Sequence, residues 1–233
     1  MQVVILAGGF GTRLSEETDL IPKPMVRIGN IPILKHIMKI YSNFGHKDFV
    51  IAIGYKSEVI QEYFQKECNP DWNITLVETG LETSTAGRIK KLENQLHEEF
   101  MLTYGDGLCN VNINHLLEHH KKFGKLATVT AVRPPARFGT IEVSNGIVTK
   151  FSEKDPQDAG WINGGFFCLN KRICAFITDS TTSFESEPLN QLVAIEQLTA
   201  YEHHGWWQPM DTLRDKRSLE ALWNSGEAPW TKL

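Results

Sequence analysis

Hydrophobic residues in the first hundred positions alternate between two textures. Short, largely apolar runs predict strands at Gln2 to Ala7, Phe49 to Ile53, Ile74 to Val77 and Phe100 to Tyr104, the first two of them buried. Between them, apolar residues recur at helical spacing. Ile33, Leu34, Ile37, Met38 and Tyr41 predict a helix over Pro32 to Phe44, stopped by Gly45. Val59, Ile60 and Phe64 predict a second over Lys56 to Gln65, and a third is expected over Thr85 to Leu96. Strands alternating with amphipathic helices build parallel βαβ units.

The pattern continues with a helix over Asn114 to Phe123 and a strand over Leu126 to Val132. After Pro134-Pro135 it changes. Phe138 to Val143 and Ile147 to Phe151 alternate about Ser144-Asn145-Gly146, which reads as a hairpin. Trp161 to Leu169 and Leu198 to His203 read as strands, and Leu213 to Trp223 as a final helix. The expected fold class is α/β, with a doubly wound, mostly parallel, Rossmann-like sheet and a small β-rich part. No linker or repeat interrupts the chain, so one domain is expected over 1–233.

Composition narrows the partners. The 233 residues carry a net charge of −4, which gives no global basic field for nucleic acid or an anionic membrane. No run approaches the roughly 18 apolar residues that cross a bilayer. The N-terminus enters a strand at once without a secretory pattern, so a cytoplasmic protein is expected. Cys68, Cys109, Cys168 and Cys174 form no CxxC pair, which argues against a zinc site and for reduced thiols.

Candidate chemistry begins where the first strand ends. Gly8, Gly9 and Gly11 let backbone amides approach phosphate oxygens, Thr12 adds a hydroxyl donor, and Arg13 can fork onto phosphate. The spacing is not that of a GxGxxG dinucleotide loop. Lys23, between Pro22 and Pro24, is expected on an extended segment, its ammonium able to neutralise a transferring phosphoryl group. Asp106, between glycines after a strand, is placed to hold Mg²⁺ beside phosphate oxygens, with an ordinary turn aspartate as the alternative. Asp211 is the candidate second carboxylate, with a plain helix N-cap as the alternative. Arg88 lies in a second glycine-containing loop. Glu153, Lys154 and Asn163 could meet sugar hydroxyls or a second phosphate, although a lysine such as Lys154 is more often a solvated surface residue.

The segments Leu6-Ala7-Gly8-Gly9-Phe10-Gly11-Thr12-Arg13-Leu14 and Pro22-Lys23-Pro24-Met25 resemble the signature of sugar-1-phosphate nucleotidyltransferases. TYGDG at 103–107, WINGGFF at 161–167 and QPMDTLRDK at 208–216 resemble the cytidylyl branch, and the likeness runs nearly end to end. The resemblance implies a glycosyltransferase-A-like doubly wound fold. It also implies transfer of CMP from CTP to a sugar 1-phosphate, with glucose 1-phosphate as acceptor, for surface polysaccharide precursors. By position, it implies that Leu6 to Arg13, Lys23, Thr83, Arg88 and Gly105 hold the nucleotide. Asp106 and Asp211 would ligate Mg²⁺, and Glu153, Lys154 and Asn163 would meet the sugar phosphate. Nucleotide binding would occupy residues 1–125 and acceptor binding 126–233, in a homo-oligomer. Two departures stand out: the segment from Gln65 to Asn73 is short, and Glu153-Lys154-Asp155-Pro156 replaces an EKP. The alternatives are the same fold with UTP or dTTP or another phosphorylated acceptor, a glycosyltransferase with a DxD metal pair, and a nucleotide-binding regulatory subunit.

Overall fold

The computed structural model describes residues 1–14, 18–67, 69–135, 139–152 and 160–233, with Arg13 and Ser152 described through their backbone alone. Seven strands form the main sheet: β1 (Gln2–Leu6), β4 (Asp48–Ile53), β5 (Asn73–Glu78), β6 (Glu99–Tyr104), β8 (Ala127–Val132), β11 (Ile162–Asn170) and β12 (Leu198–His203). Their order is β12-β8-β11-β6-β1-β4-β5. All neighbours pair in parallel except β11, which runs antiparallel to both β6 and β8. The expectation of a mostly parallel α/β sheet is met. Pairs of short strands stand outside it: β2 (Arg27–Ile28) with β3 (Ile31–Pro32), β7 (Gly107–Cys109) with β13 (Trp207–Pro209), and β9 (Thr140–Ser144) with β10 (Ile147–Ser152).

The central strand shows why this sheet is covered on both faces. Every residue of β1 is buried, and alternate side chains point to opposite sides. Val3 and Ile5 join a core with α1 (Ile33–Asn43), α2 (Ser57–Lys66), α4 (Ile113–Phe123) and α6 (Leu213–Asn224). Val4 and Leu6 join a second core with α3 (Thr85–Lys91) and α5 (Glu187–Ala194). Register then aligns the strand ends. Leu6 stands opposite both Ala52 and Tyr104, so the loops leaving β1, β4 and β6 meet at one edge of the sheet. That carboxyl edge is where open α/β sheets bind ligands.

The C-terminal segment is stapled back onto α1. Trp230 Nε1 donates to His36 Nδ1 at 3.1 Å, and His36 Nε2 donates to the Ile28 carbonyl at 3.0 Å. Trp230 can only donate and the carbonyl can only accept, so His36 is neutral with its proton on Nε2. Burial lowers its pKa from 6.5 to about 4.

Several predicted elements change on folding. The third predicted helix divides into an α-helix that stops at Lys91 and a 3₁₀ turn over Glu93–Gln95. The predicted hairpin forms, with Asn145 and Gly146 at φ 49° and 81°, but among the described residues it pairs with no strand of the main sheet. The helix at Glu187–Ala194 was not predicted. Cys68 and the predicted strand start at Phe138 lie outside the described residues.

Candidate active site

The turn after β1 is folded against its neighbours at glycine positions. The Gly105 amide donates to the Leu6 carbonyl at 3.0 Å, and a Cβ at 105 would stand 2.8 Å from that oxygen. Gly11 has φ +65°, and a Cβ there would meet Lys23 Cβ at 2.9 Å. A side chain at either position would push the turn away from β6 or from Lys23. At Gly9, by contrast, an added Cβ would meet nothing within 4 Å. This residue leaves the cavity open.

Lys23 does not lie on an extended segment as predicted. Pro22 is extended (φ −68°, ψ 147°), but Lys23 opens a 3₁₀ turn over Lys23–Met25 and is buried. Proline fixes the entry to the turn and the turn aims the side chain inward. Lys23 Nζ donates to Asp106 Oδ2 and to Asp211 Oδ1, each at 2.7 Å. The two carboxylates are therefore no farther apart than twice that distance. Burial alone would lower the Lys23 pKa, but Asp106 and then Asp211 outweigh it and hold the ammonium above 10.5.

Asp106 and Asp211, far apart in sequence, are joined by the small β7–β13 ladder. Pro209 pairs with Gly107, and the Met210 amide donates to the Asp106 carbonyl at 2.8 Å. Asp211 is not the N-cap of α6. Thr212 caps it, in a reciprocal box with Asp215, whose carboxylate also accepts from the Asp211 amide at 3.2 Å. The helix start thus fixes the Asp211 backbone and leaves its carboxylate for Lys23.

Arg88 threads beneath the turn. Its guanidinium donates to the carbonyls of Gly8 at 2.8 Å and Gly80 at 2.9 Å, to the Thr79 hydroxyl, and more loosely to Ile53 and Leu81 at 3.4 Å. Burial lowers its pKa, and Glu78 opposes the shift. A Cβ at Gly8 would overlap the guanidinium, and one at Gly54 would stand 2.8 Å from it. The glycines after β1 and β4 are fitted around this arginine.

These groups line a cavity of about 420 Å³, which includes Leu6, Ala7, Gly8, Gly9, Gly11, Thr12, Lys23, Thr83, Arg88, Gly105, Asp106 and Asp211. Sequence reasoning missed Tyr104, Ser84, Thr85 and Glu185, which share it. Glu185 accepts hydroxyl bonds from Tyr104, from Ser183 and, at 2.8 Å, from Thr85. Burial disfavours its ionised form, but the bonds from Ser183, Tyr104 and Thr85 overcome that and hold its pKa below the ordinary value. The polar run around Glu185 offers no periodic signal that could have singled it out. A second cavity of about 200 Å³ shares Tyr104, Asp106 and Asp211 and adds Asn163, Gly164, Gly165 and Trp207. Asn163 donates to the Tyr104 hydroxyl at 3.2 Å and accepts from the Gly165 amide at 2.8 Å. The Arg13 side chain, Glu153 and Lys154 lie outside the described residues.

A pair of acids between two cavities, with a fixed cation and a glycine turn, suits the joining of two anionic substrates. The model of a family described as Nucleotidyl transferase matches residues 2–215. The chain belongs to the nucleotidyl transferase family. It is 48% identical over 254 aligned positions to the glucose-1-phosphate cytidylyltransferases of Salmonella typhi and Salmonella typhimurium, covering 99% of this chain and 98% of each relative. That alignment is longer than the chain, so these relatives carry positions with no counterpart here. The crystal structure of HddC from Yersinia pseudotuberculosis has the same fold, with TM-score 0.75, 24% identity, and 95% of this chain and 99% of that one covered. Among the described residues no three His, Cys, Asp or Glu side chains cluster as a complete cage. Two convergent carboxylates fit a Mg²⁺ ion that draws its other ligands from substrate phosphates and water. No helix among the described residues is long and apolar enough to cross a membrane.

Proposed function

We propose that this chain is a sugar-1-phosphate cytidylyltransferase. It would transfer CMP from CTP to glucose 1-phosphate, releasing pyrophosphate and forming CDP-glucose. The observation that carries the reading is the meeting of Lys23 with Asp106 and Asp211 on the wall shared by two cavities. Full-length similarity to glucose-1-phosphate cytidylyltransferases supports the choice of base and sugar. The chain acts as one unit, with CTP in the larger cavity and the acceptor beside Asn163 in the smaller. We expect it to assemble as a homo-oligomer.

The acceptor phosphate is already an anion at neutral pH, so its oxygen can attack the α-phosphorus without a strong base. The barrier lies in bringing two anions together in line. Asp106, Asp211 and Lys23 sum to one negative charge, so these three groups by themselves oppose a phosphate laid against them. When bound, Mg²⁺ held by Asp106 and Asp211 supplies the charge neutralisation that this balance lacks. Amides of Gly8, Gly9 and Gly11 with Thr12 and Arg13 cradle the phosphates, and Leu6, Ala7, Thr83 and Gly105 bound the nucleoside. Arg88 shapes the turn from beneath. Asn163, Glu153 and Lys154 are assigned to the acceptor.

The test is to incubate the protein with Mg²⁺, each of CTP, UTP, dTTP and GTP, and a panel of sugar 1-phosphates, and to identify products by mass. The reading requires CDP-glucose as the favoured product. A preference for another nucleotide overturns the base assignment, and no nucleotide sugar from any pair overturns the activity.

A further inference from the structure

The Lys23 ammonium occupies a position from which one cation touches both Asp106 and Asp211, at 2.7 Å from each. Its side chain is 11% exposed, whereas those of Asp106 and Asp211 are 33% and 22% exposed and border both cavities. Lys23 thus meets both acids from the more buried side, and both acids border the cavities. The lysine stem lies against the phosphate-side turn, since a Cβ on Gly11 would meet its Cβ at 2.9 Å and its Cδ at 3.5 Å. From that root a flexible four-carbon arm reaches either the acids or a ligand lying on the turn, with no backbone movement.

We propose that Lys23 is an internal competitor for the metal position: its ammonium holds Asp106 and Asp211 until a divalent cation arrives with a nucleotide, whose phosphates then take the ammonium. This rests on the reading that the site handles a nucleotide with a divalent cation. With Lys23 in place the cluster carries one net negative charge, and without it two. A free cation must displace the ammonium and leave it stranded beside the metal, a like-charge contact in a half-buried site. A metal–nucleotide pair does not meet this obstacle, because the phosphates supply the ammonium with a new partner as strong as the one it loses. The device keeps the two acids from loading bare metal and couples metal entry to nucleotide entry.

Free Mn²⁺ affinity without nucleotide, read by electron paramagnetic resonance of the unbound ion, tests the idea. Wild type should bind Mn²⁺ weakly, and Lys23→Met should bind it at least about tenfold more tightly, a gain of about 1.4 kcal/mol. Equal or weaker binding by a folded Lys23→Met protein overturns the competition. If that variant does not fold, ¹⁵N-lysine resonances of wild type decide. Mg²⁺ alone should leave the Lys23 ammonium signal in place, and Mg²⁺ with CTP should shift it. A shift with Mg²⁺ alone overturns the proposal. Wild type that binds neither Mg²⁺ nor Mg²⁺ with CTP overturns the function reading as well. Binding of Mg²⁺ with CTP, but no gain in Mn²⁺ affinity on removing the ammonium, sinks only the competition.

Discussion

Arg88→Lys keeps the positive charge and most of the stem but removes the planar fork. In the native protein the guanidinium ties three strand ends together: Gly8 after β1, Ile53 on β4, and Thr79 to Leu81 after β5. Its two well-formed carbonyl bonds, 2.8 Å to Gly8 and 2.9 Å to Gly80, diverge from different nitrogens. An ammonium has three donors on one nitrogen and cannot reproduce the five contacts that the fork makes from two. Charge-assisted bonds of this kind contribute about 1.5–3 kcal/mol each. Losing one outright and weakening the other should cost about 2–4 kcal/mol, read as a lower urea midpoint with an unchanged slope. The Gly8 peptide loses its anchor, so the KM for CTP should rise several-fold while kcat changes less. Gly8→Ala should act in the same direction, because its Cβ would overlap the guanidinium. Native-like unfolding and an unchanged KM for CTP in Arg88→Lys would refute the clamp.

Other outcomes follow from the same contacts. Asp106→Asn should lower turnover by about 10²-fold, roughly 3 kcal/mol, on the scale of removing one electrostatic stabiliser; steady-state pyrophosphate release measures it, and near-normal turnover would remove Asp106 from the mechanism. Gly87→Ala places a Cβ 2.8 Å from the Ser180 carbonyl carbon and closer still to its oxygen. Overpacking there should cost about 1–3 kcal/mol and displace the segment that carries Glu185; wild-type stability in denaturant would contradict this. His36 gives a pH signature. Its pKa is about 4 folded against 6.5 unfolded, so the unfolded chain binds the extra proton first. The stability this histidine provides is whole above pH 6.5 and drains as pH falls towards 4, by up to about 3 kcal/mol. Unfolding measured at pH 7.5 and 4.5 should show a smaller difference in His36→Gln than in wild type; equal differences would count against it.

Local patterns predicted the strands and helices that align the site, but not the contacts that complete it. β1, β4, β5 and β6 announce themselves as short apolar runs, and the turn at Gly8 to Gly11 follows from its glycines. Asp211 was ambiguous because its partner Asp106 reaches it through two three-residue strands, which carry no periodicity. The capping role fell to the neighbouring Thr212 for a reason visible only in three dimensions, the reciprocal bond with Asp215. Arg88 was expected in a loop but lies on α3, and no spacing rule says whether a guanidinium faces a ligand or the backbone beneath it. Helix Glu187–Ala194 did have a signal: Pro188 in its first turn, with Leu189, Leu192 and Val193 at helical spacing. Its surroundings of serine, threonine and glutamate masked that signal. The antiparallel course of β11 had none, since strand direction depends on the route of the chain between β8 and β11.

The proposed role of the joined Lys23, Asp106 and Asp211 is transfer at the α-phosphorus of CTP. Phosphorus NMR of CTP, Mg²⁺ and glucose 1-phosphate with a catalytic amount of protein tests it most directly. The three CTP resonances should give way to those of CDP-glucose and pyrophosphate, and Asp106→Asn should suppress the change. Release of inorganic phosphate instead, or a spectrum that stays constant, would contradict it.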